Sequence, residues 1–122
     1  MGHAARPILL VEDDADMVAA KRLLLEDEGY AAVSAPDVPR AIESIKRDMP
    51  GLVLLDWSLD DGSGEEVLQA AKREPSTAST PFVVITGASG LPHGPGDTAQ
   101  AVLQKPFDVG ELLRVVQLYY RP

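Results

Sequence analysis

The stretch GLVLLD, residues 51–56, decides the fold of this 122-residue chain. A glycine and four consecutive apolar residues run directly into an aspartate. An unbroken apolar run of this length is typical of a strand that is buried on both faces of a parallel sheet. PILLVE (7–12) and PFVVIT (81–86) have the same form. The sequence therefore predicts several buried parallel strands, and each of these three ends in a polar residue.

Segments with helical character alternate with the strands. Helices are predicted for residues 14–29, 37–49, 64–73 and 108–120, and two shorter strands for 30–35 and 101–104. Asp37 is the expected N-cap of the second helix, and Asp108 with Glu111 has the spacing of a capping box. This alternation favours a single α/β domain over residues 1–122. We expect a flavodoxin-like, doubly wound, five-stranded parallel sheet with helices on both faces.

Apolar spacing within the helices predicts which faces turn toward the sheet. The expected inward residues are Met17, Ala20 and Leu24 in the first helix, Val38, Ala41, Ile42 and Ile45 in the second, and Val109, Leu112, Leu113 and Val116 in the last. Gly29 is the expected end of the first helix.

Composition excludes several classes of function. There is no cysteine, so the chain has no disulfide, catalytic thiol or cysteine-based zinc site. No apolar run is long enough to predict a membrane span, and no signal peptide is visible, which favours a cytoplasmic location. The 19 acidic residues outnumber 11 Lys and Arg residues, giving a net charge of -8. A nucleic acid backbone would repel such a surface, so direct nucleic-acid binding is not expected.

Polar residues collect at the predicted carboxyl ends of the strands. Glu12, Asp13, Asp56, Thr86 and Lys105 each lie at such an end or just past it. In parallel sheets these ends share one edge, which is where ligands bind. Three carboxylates gathered there would repel each other, and the remedies are proton uptake, a cationic partner or a bound metal. For a metal, oxygen ligands favour Mg²⁺, Ca²⁺ or Mn²⁺. Together with a hydroxyl and an ammonium group, they predict a phosphoryl-transfer site.

Four blocks of this sequence resemble response-regulator receiver domains in order and spacing. They are ILLVEDD, LVLLDWSLDDGSG, VVITGAS and LQKPF, and the resemblance covers essentially the whole chain. It implies the strand order 2-1-3-4-5. It also implies a phosphorylation-controlled switch of a two-component system whose own chemistry is limited to self-phosphotransfer and slow autodephosphorylation.

The resemblance assigns a role to each site residue. It implies that Asp56 is the phosphoacceptor and that Thr86 and Lys105 contact the phosphoryl oxygens. The implied cofactor is Mg²⁺, with Mn²⁺ as the alternative. Its implied ligands are Asp13, Asp56 and the backbone carbonyl of Ser58, with Glu12 usually coupled to the metal through water. The family's Lys-Pro peptide is usually cis, so the peptide after Lys105 is a candidate for that geometry.

The resemblance also implies partners. The phosphodonor would be a sensor histidine kinase or a histidine phosphotransfer domain, and the target a downstream protein or an attached output domain. Membrane binding is not implied, and homodimerisation on phosphorylation stays open.

Two departures from the family pattern keep alternatives open. Val102 stands where the family commonly has an aromatic residue. GASGLPHGPGDTAQ (87–100) replaces the expected fourth helix, and its Gly and Pro content predicts a short or irregular one. The main alternative is a degenerate receiver that binds proteins without phosphorylation. A haloacid-dehalogenase-like phosphatase would have an Asp two residues past Asp56, where this chain has Ser58, and no P-loop or Gly-x-Gly-x-x-Gly supports a nucleotide-binding fold.

Overall fold

The computed structural model describes residues 6–57, 64–87 and 99–122. The strands are β1 (Ile8–Val11), β2 (Ala32–Ala35), β3 (Leu52–Asp56), β4 (Phe82–Thr86) and β5 (Ala101–Gln104). The helices are α1 (Ala15–Asp27), α2 (Val38–Asp48), α3 (Gly64–Arg73) and α4 (Val109–Tyr119). Within the described residues, no helix is long and apolar enough to cross a bilayer.

The five strands form one parallel sheet in the order β2-β1-β3-β4-β5. The predicted fold class and strand order are therefore confirmed. The three central strands are buried along their whole length, as their unbroken apolar runs indicate.

Each face of the sheet carries its own hydrophobic core. On one face α2 and α3 cover alternate strand residues such as Leu9, Val53 and Val84. On the other face α1 and α4 cover the intervening residues, such as Leu10 and Leu54. Successive side chains of a strand point to opposite faces, so a doubly covered strand needs an apolar residue at every position.

The predicted inward face of α1 is wrong. Met17 and Ala20 are exposed and Leu24 is only partly buried, whereas the fully buried residues of the helix are Lys21 and Leu25. The inward face instead contains Lys21, whose charge would ordinarily assign it to solvent.

The predicted face of the second helix is largely confirmed, and that of the C-terminal helix only in part. Val38, Ala41 and Ile45 are buried and Ile42 is half-buried in α2. In α4 the buried residues are Leu112 and Val116, with Leu113 partly buried. Val109 is 47% exposed because it is the first residue of α4, before the part of the helix that packs on the sheet.

Local signals at the helix ends are confirmed. Asp37 caps α2 by accepting a hydrogen bond from the backbone of Arg40, and Asp108 and Glu111 form the predicted capping box on α4. Gly29, just past α1, has a φ of 94°, a conformation that glycine adopts most readily. The Lys105–Pro106 peptide is cis. The predicted short or irregular fourth helix falls almost entirely on residues 88–98, outside the described residues.

The amino-terminal end of the sheet, which we call the sheet base, is closed by backbone contacts. The backbone of Gly51 donates to the carbonyl of Pro7 at 2.9 Å and accepts from the backbone of Arg121 at 3.0 Å. The ring of Tyr120 packs edge-on against that of Tyr30, with centroids 4.9 Å apart. A Cβ atom at residue 51 would overlap the carbonyl oxygen of Arg121, so only glycine allows this approach.

Candidate phosphoryl-transfer site

Three carboxylates meet at the carboxyl end of the sheet. Glu12 and Asp13 follow β1, and Asp56 is the last residue of the neighbouring strand β3. One carboxylate oxygen from each residue lies within 4.8 Å of those from the other two. Glu12 and Asp56 are each only 4% exposed, so water screens their mutual repulsion poorly. The parallel register of β1 and β3 creates this crowding of negative charge.

Lys105 places a positive charge on the same cluster. Its Nζ atom lies 3.3 Å from Oδ2 of Asp56, although the two residues are 49 positions apart in sequence. Lys105 follows β5, and its backbone N–H donates to the carbonyl of Thr86 at 2.7 Å, which fixes where the side chain starts. Lys105 and Asp56 therefore lie at the same edge of the sheet, as the positions of their strands predict.

Thr86 lies on the strand between these two residues. It is the last residue of β4, is 4% exposed, and follows Ile85, the register partner of Asp56. Thr86 thus lies at the same edge as the carboxylates, between the strands that carry Asp56 and Lys105.

Two further residues of the sequence prediction are Ser58 and Val102. Ser58, whose carbonyl is the implied third protein ligand, lies outside the described residues. Val102, at the position where the family commonly has an aromatic residue, is 43% exposed on the edge strand β5.

Asp14, the third acid after β1, has a separate task. Its side chain caps α1 by accepting hydrogen bonds from the backbone N–H groups of Asp16 and Met17, at 2.9 and 3.3 Å. This contact engages the Asp14 side chain with the helix rather than with the three clustered carboxylates. The cap also fixes where α1 begins relative to Glu12 and Asp13.

Lys21 is a residue of this site that was not predicted from the sequence. Its Nζ atom donates to Oε1 of Glu12 at 2.9 Å, and both side chains are almost fully buried. A signal was present, because Val18, Lys21 and Leu25 follow the i, i+3, i+7 spacing of an inward helix face. A lysine at such a position is ordinarily assigned to solvent, so the pattern was not recognised.

An open cleft gives access to the cluster. It has a volume of about 620 Å³ and is lined by Glu12, Asp13, Asp14, Met17, Asp56, Lys105, Pro106 and Phe107. The donor set fits a hard divalent cation. Carboxylate oxygens are the ligands that Mg²⁺ prefers, and opposite ligands at about 2.1 Å from the ion lie about 4.2 Å apart. Carboxylates within 4.8 Å of one another are close enough to share one such ion, either directly or through a bound water.

Comparison with known proteins identifies the family. The profile of the response regulator receiver domain matches residues 8–117, nearly the whole chain. The chain belongs to the response regulator receiver domains. These are signalling domains of two-component systems rather than enzymes in the ordinary sense.

The relatives of this receiver domain include transcriptional regulators. The chain is 34% identical over 124 residues to the phosphate regulon transcriptional regulatory protein PhoB of Klebsiella pneumoniae, an alignment that covers 96% of this chain and 52% of PhoB. The chain thus spans about half the length of that curated relative.

Solved structures agree with the fold. A response regulator receiver domain protein (CheY-like) from Methanospirillum hungatei JF-1 superposes with a TM-score of 0.83 at 27% identity, covering 94% of this chain and 93% of that one. The receiver domain of sensor histidine kinase PA1611 from Pseudomonas aeruginosa PAO1 superposes with a TM-score of 0.82 at 24% identity, covering 95% and 98%. The PA1611 structure has a magnesium ion coordinated in its active site cleft.

Proposed function

We propose that this receiver domain accepts a phosphoryl group on Asp56 from a phosphohistidine donor and thereby switches a protein-protein interaction surface. The observation that carries the proposal is the setting of Asp56. Its carboxylate is buried at a strand end, gathered with Glu12 and Asp13, and 3.3 Å from the Lys105 ammonium group. A carboxylate presented on a rigid strand to an open cleft is suited to nucleophilic attack.

The proposed reaction is a simple displacement at phosphorus. A carboxylate oxygen of Asp56 forms a bond to phosphorus while the bond from phosphorus to the donor's imidazole nitrogen breaks. The imidazole leaves with the bonding electron pair. Lys105 is placed to balance charge on the phosphoryl oxygens, and the Thr86 hydroxyl is the proposed donor to one of them.

Mg²⁺ is the proposed cofactor, with Mn²⁺ as the alternative. Asp13, Asp56 and the Ser58 carbonyl would hold it, and Glu12 would contact it through water. When bound, the ion supplies positive charge that offsets repulsion between the carboxylates and the incoming phosphoryl group. Support comes from the oxygen donor set and from the magnesium ion in the cleft of the PA1611 receiver domain.

The donor and the target follow from the family at the level of class. A sensor histidine kinase or a histidine phosphotransfer domain would supply the phosphoryl group, and a downstream protein or attached output domain would respond. The proposed chemistry of the chain itself is limited to self-phosphotransfer and slow autodephosphorylation. Slow loss is expected because Ala88, two residues past Thr86, has no polar side chain to position a water.

The test follows Trp57 fluorescence during titration with Mg²⁺ and then with beryllofluoride, a phosphoryl mimic. Trp57 adjoins Asp56 and is the chain's single tryptophan, so its signal is local. We expect a saturable response to Mg²⁺ and a second response to the mimic that requires Mg²⁺. Incubation with radiolabelled acetyl phosphate, a small phosphodonor, should label the protein on one carboxylate.

Two site variants and one control make the test specific. Asp13→Ala should abolish the Mg²⁺ response, and Asp56→Asn should abolish both the mimic response and the label. Asp27→Asn removes an exposed carboxylate from α1 and should change neither. A wild-type protein that responds to neither ligand and takes up no label would refute the proposal and favour a phosphorylation-independent binding module.

A further inference from the structure

We infer that Lys21 is a positioning residue of the phosphoryl site: it is a built-in counter-ion that weakens Mg²⁺ binding and strengthens binding of the phosphoryl group. The inference rests on the function proposed above for Asp56. It concerns a helix residue that lies outside the four sequence blocks by which the site was recognised.

The location of Lys21 is unusual for its charge. It lies on the inward face of α1 with Leu25 and is 4% exposed, whereas a lysine normally extends its ammonium group into water. The ammonium group instead reaches the end of β1 and donates to Glu12 at 2.9 Å. Removing a charge from water is costly, so the pair persists only because the two groups satisfy each other.

The contact with Lys21 also holds Glu12 in one orientation. Oε1 of Glu12 accepts from Lys21, and Oε2 accepts from the backbone N–H of Asp14 at 3.3 Å. Asp14 in turn caps α1, the helix that carries Lys21. Both Glu12 oxygens are therefore engaged by one short stretch of chain, which favours an indirect role for Glu12 at a metal ion over direct coordination.

The formal charges of the site show what Lys21 contributes. Three carboxylates and the two ammonium groups of Lys21 and Lys105 give the cluster a net charge of −1. Without Lys21 that charge would be −2, which would attract a divalent cation more strongly. A phosphoryl group on Asp56 replaces one negative charge by about −2. With Mg²⁺ bound, the phosphorylated site then sums to about zero only if Lys21 is present.

Lys21 should therefore lower the affinity of the site for Mg²⁺ and raise its affinity for the phosphoryl group. Its positive charge opposes a cation and favours an anion in a poorly screened site. A residue that merely supports the local fold would affect both ligands in the same direction, because its loss would disorder the site. Opposite signs thus separate an electrostatic role from a structural one.

The experiment measures two dissociation constants by Trp57 fluorescence at low ionic strength, for Mg²⁺ alone and for beryllofluoride at saturating Mg²⁺. In Lys21→Met we expect Mg²⁺ to bind about tenfold more tightly and the mimic about tenfold more weakly. Measured against Glu12→Gln alone, the double variant Glu12→Gln/Lys21→Met should again bind Mg²⁺ more tightly and the mimic more weakly, because the same positive charge is removed. Lys46→Met, which removes an exposed lysine from α2, should leave both unchanged.

The variants also cover a failure to fold, because Lys21→Met leaves Glu12 buried without its counter-ion. If that protein is unfolded by circular dichroism, Glu12→Gln alone and the double variant decide. Glu12→Gln should weaken Mg²⁺ binding and strengthen mimic binding, and adding Lys21→Met should reverse both changes. The inference is overturned if removing Lys21 changes both dissociation constants in the same direction, or changes neither. The proposed function then still stands, provided that the wild type binds both ligands. A wild type that binds neither overturns both.

Discussion

The two ends of the sheet are built in opposite ways. At the carboxyl end, three carboxylates and the ammonium group of Lys105 line an open cleft, and ion pairs from Lys21 and Lys105 contact the carboxylates. At the sheet base, the backbone of Gly51 is joined to two other segments by hydrogen bonds, and two tyrosine rings pack over it. The carboxyl end thus gathers several negative charges, whereas the sheet base is held by backbone hydrogen bonds and ring packing.

The contrast indicates how a small domain tolerates a destabilised site. Three carboxylates gathered with only two ammonium groups leave a net negative charge that lowers the stability of the fold, and packing and backbone hydrogen bonds elsewhere offset this loss. If the two ends are independent, changes at the base should alter unfolding without altering ligand binding. Adding a ligand at the carboxyl end should raise the free energy of unfolding by the same amount with or without a substitution at the sheet base.

The largest loss of stability is expected from closing the space at Gly51. A Cβ atom there would overlap the Arg121 carbonyl oxygen and lie 2.7 Å from Cε1 of Tyr120, so Gly51→Ala must displace the C-terminal segment. We expect the free energy of unfolding in urea to fall by about 3 kcal/mol. Gly29→Ala is the matched control, since its Cβ atom meets nothing within 4 Å and its cost is backbone strain alone. An unchanged unfolding midpoint for Gly51→Ala would refute the crowding argument.

The next largest effect is stabilisation of the opposite end by Mg²⁺. At one hundred times its dissociation constant, an ion that binds only the folded state adds about 2.7 kcal/mol to the free energy of unfolding. Thermal or urea unfolding of the wild type should show this increment, and Asp13→Ala should lose it. Gly51→Ala should retain the full increment if the two ends are independent. A much smaller increment in Gly51→Ala would instead show that the ends are coupled.

A smaller effect is expected at the start of α4. Asp108→Ala removes the side chain that accepts a hydrogen bond from the backbone of Glu111 at 2.8 Å, and should cost about 1 kcal/mol in urea unfolding. Glu111→Gln keeps a side-chain acceptor for the backbone N–H of Asp108, so its loss of unfolding free energy should be smaller than that of Asp108→Ala. Equal losses in the two variants would contradict the capping-box assignment.

The smallest effect concerns an ion pair at the end of α2, close to the base. Hydrogen bonding from Arg47, with a second bond from the Ser44 hydroxyl, holds the pKa of Asp48 below its usual value. A lowered carboxyl pKa stabilises the fold above the pKa of the unfolded chain, and this stabilisation is lost as pH falls through the folded-state pKa.

Because Arg47 is largely exposed, the expected contribution is a few tenths of a kcal/mol. The free energy of unfolding of Asp48→Asn in urea should be lower than that of the wild type by this amount at pH 7. The difference should disappear in acid, below about pH 4. A difference that persists in strong acid would assign the effect to something other than the ionised carboxylate.

Periodicity and strand-end chemistry were enough to predict most of this molecule. Unbroken apolar runs gave the three central strands because burial on both faces demands them, and Asp37 and Asp108 were recognisable as caps from local spacing alone. The gathering of Glu12, Asp13 and Asp56 followed from one rule about parallel strands. These features depend on neighbours in sequence or on a single topological fact.

The errors have a common physical origin. Lys21 was overlooked because, although its helical position fits an inward face, a lysine is ordinarily assigned to solvent unless its counter-ion, here Glu12, is known. Val109 was placed inside because its helical position fits the stripe, although the burial of α4 begins only one turn later, at Leu112. Such outcomes are decided by tertiary contacts rather than by local pattern.

The contact between Tyr120 and Arg6 has a practical consequence. The Tyr120 hydroxyl donates to the backbone carbonyl of Arg6, 114 positions away in sequence, at the end of the sheet remote from the carboxylates. A short linker between these two segments would close the chain into a ring or permit new ends in a surface turn. Attachment to a sensor surface through either segment would leave the acidic cleft facing the solution.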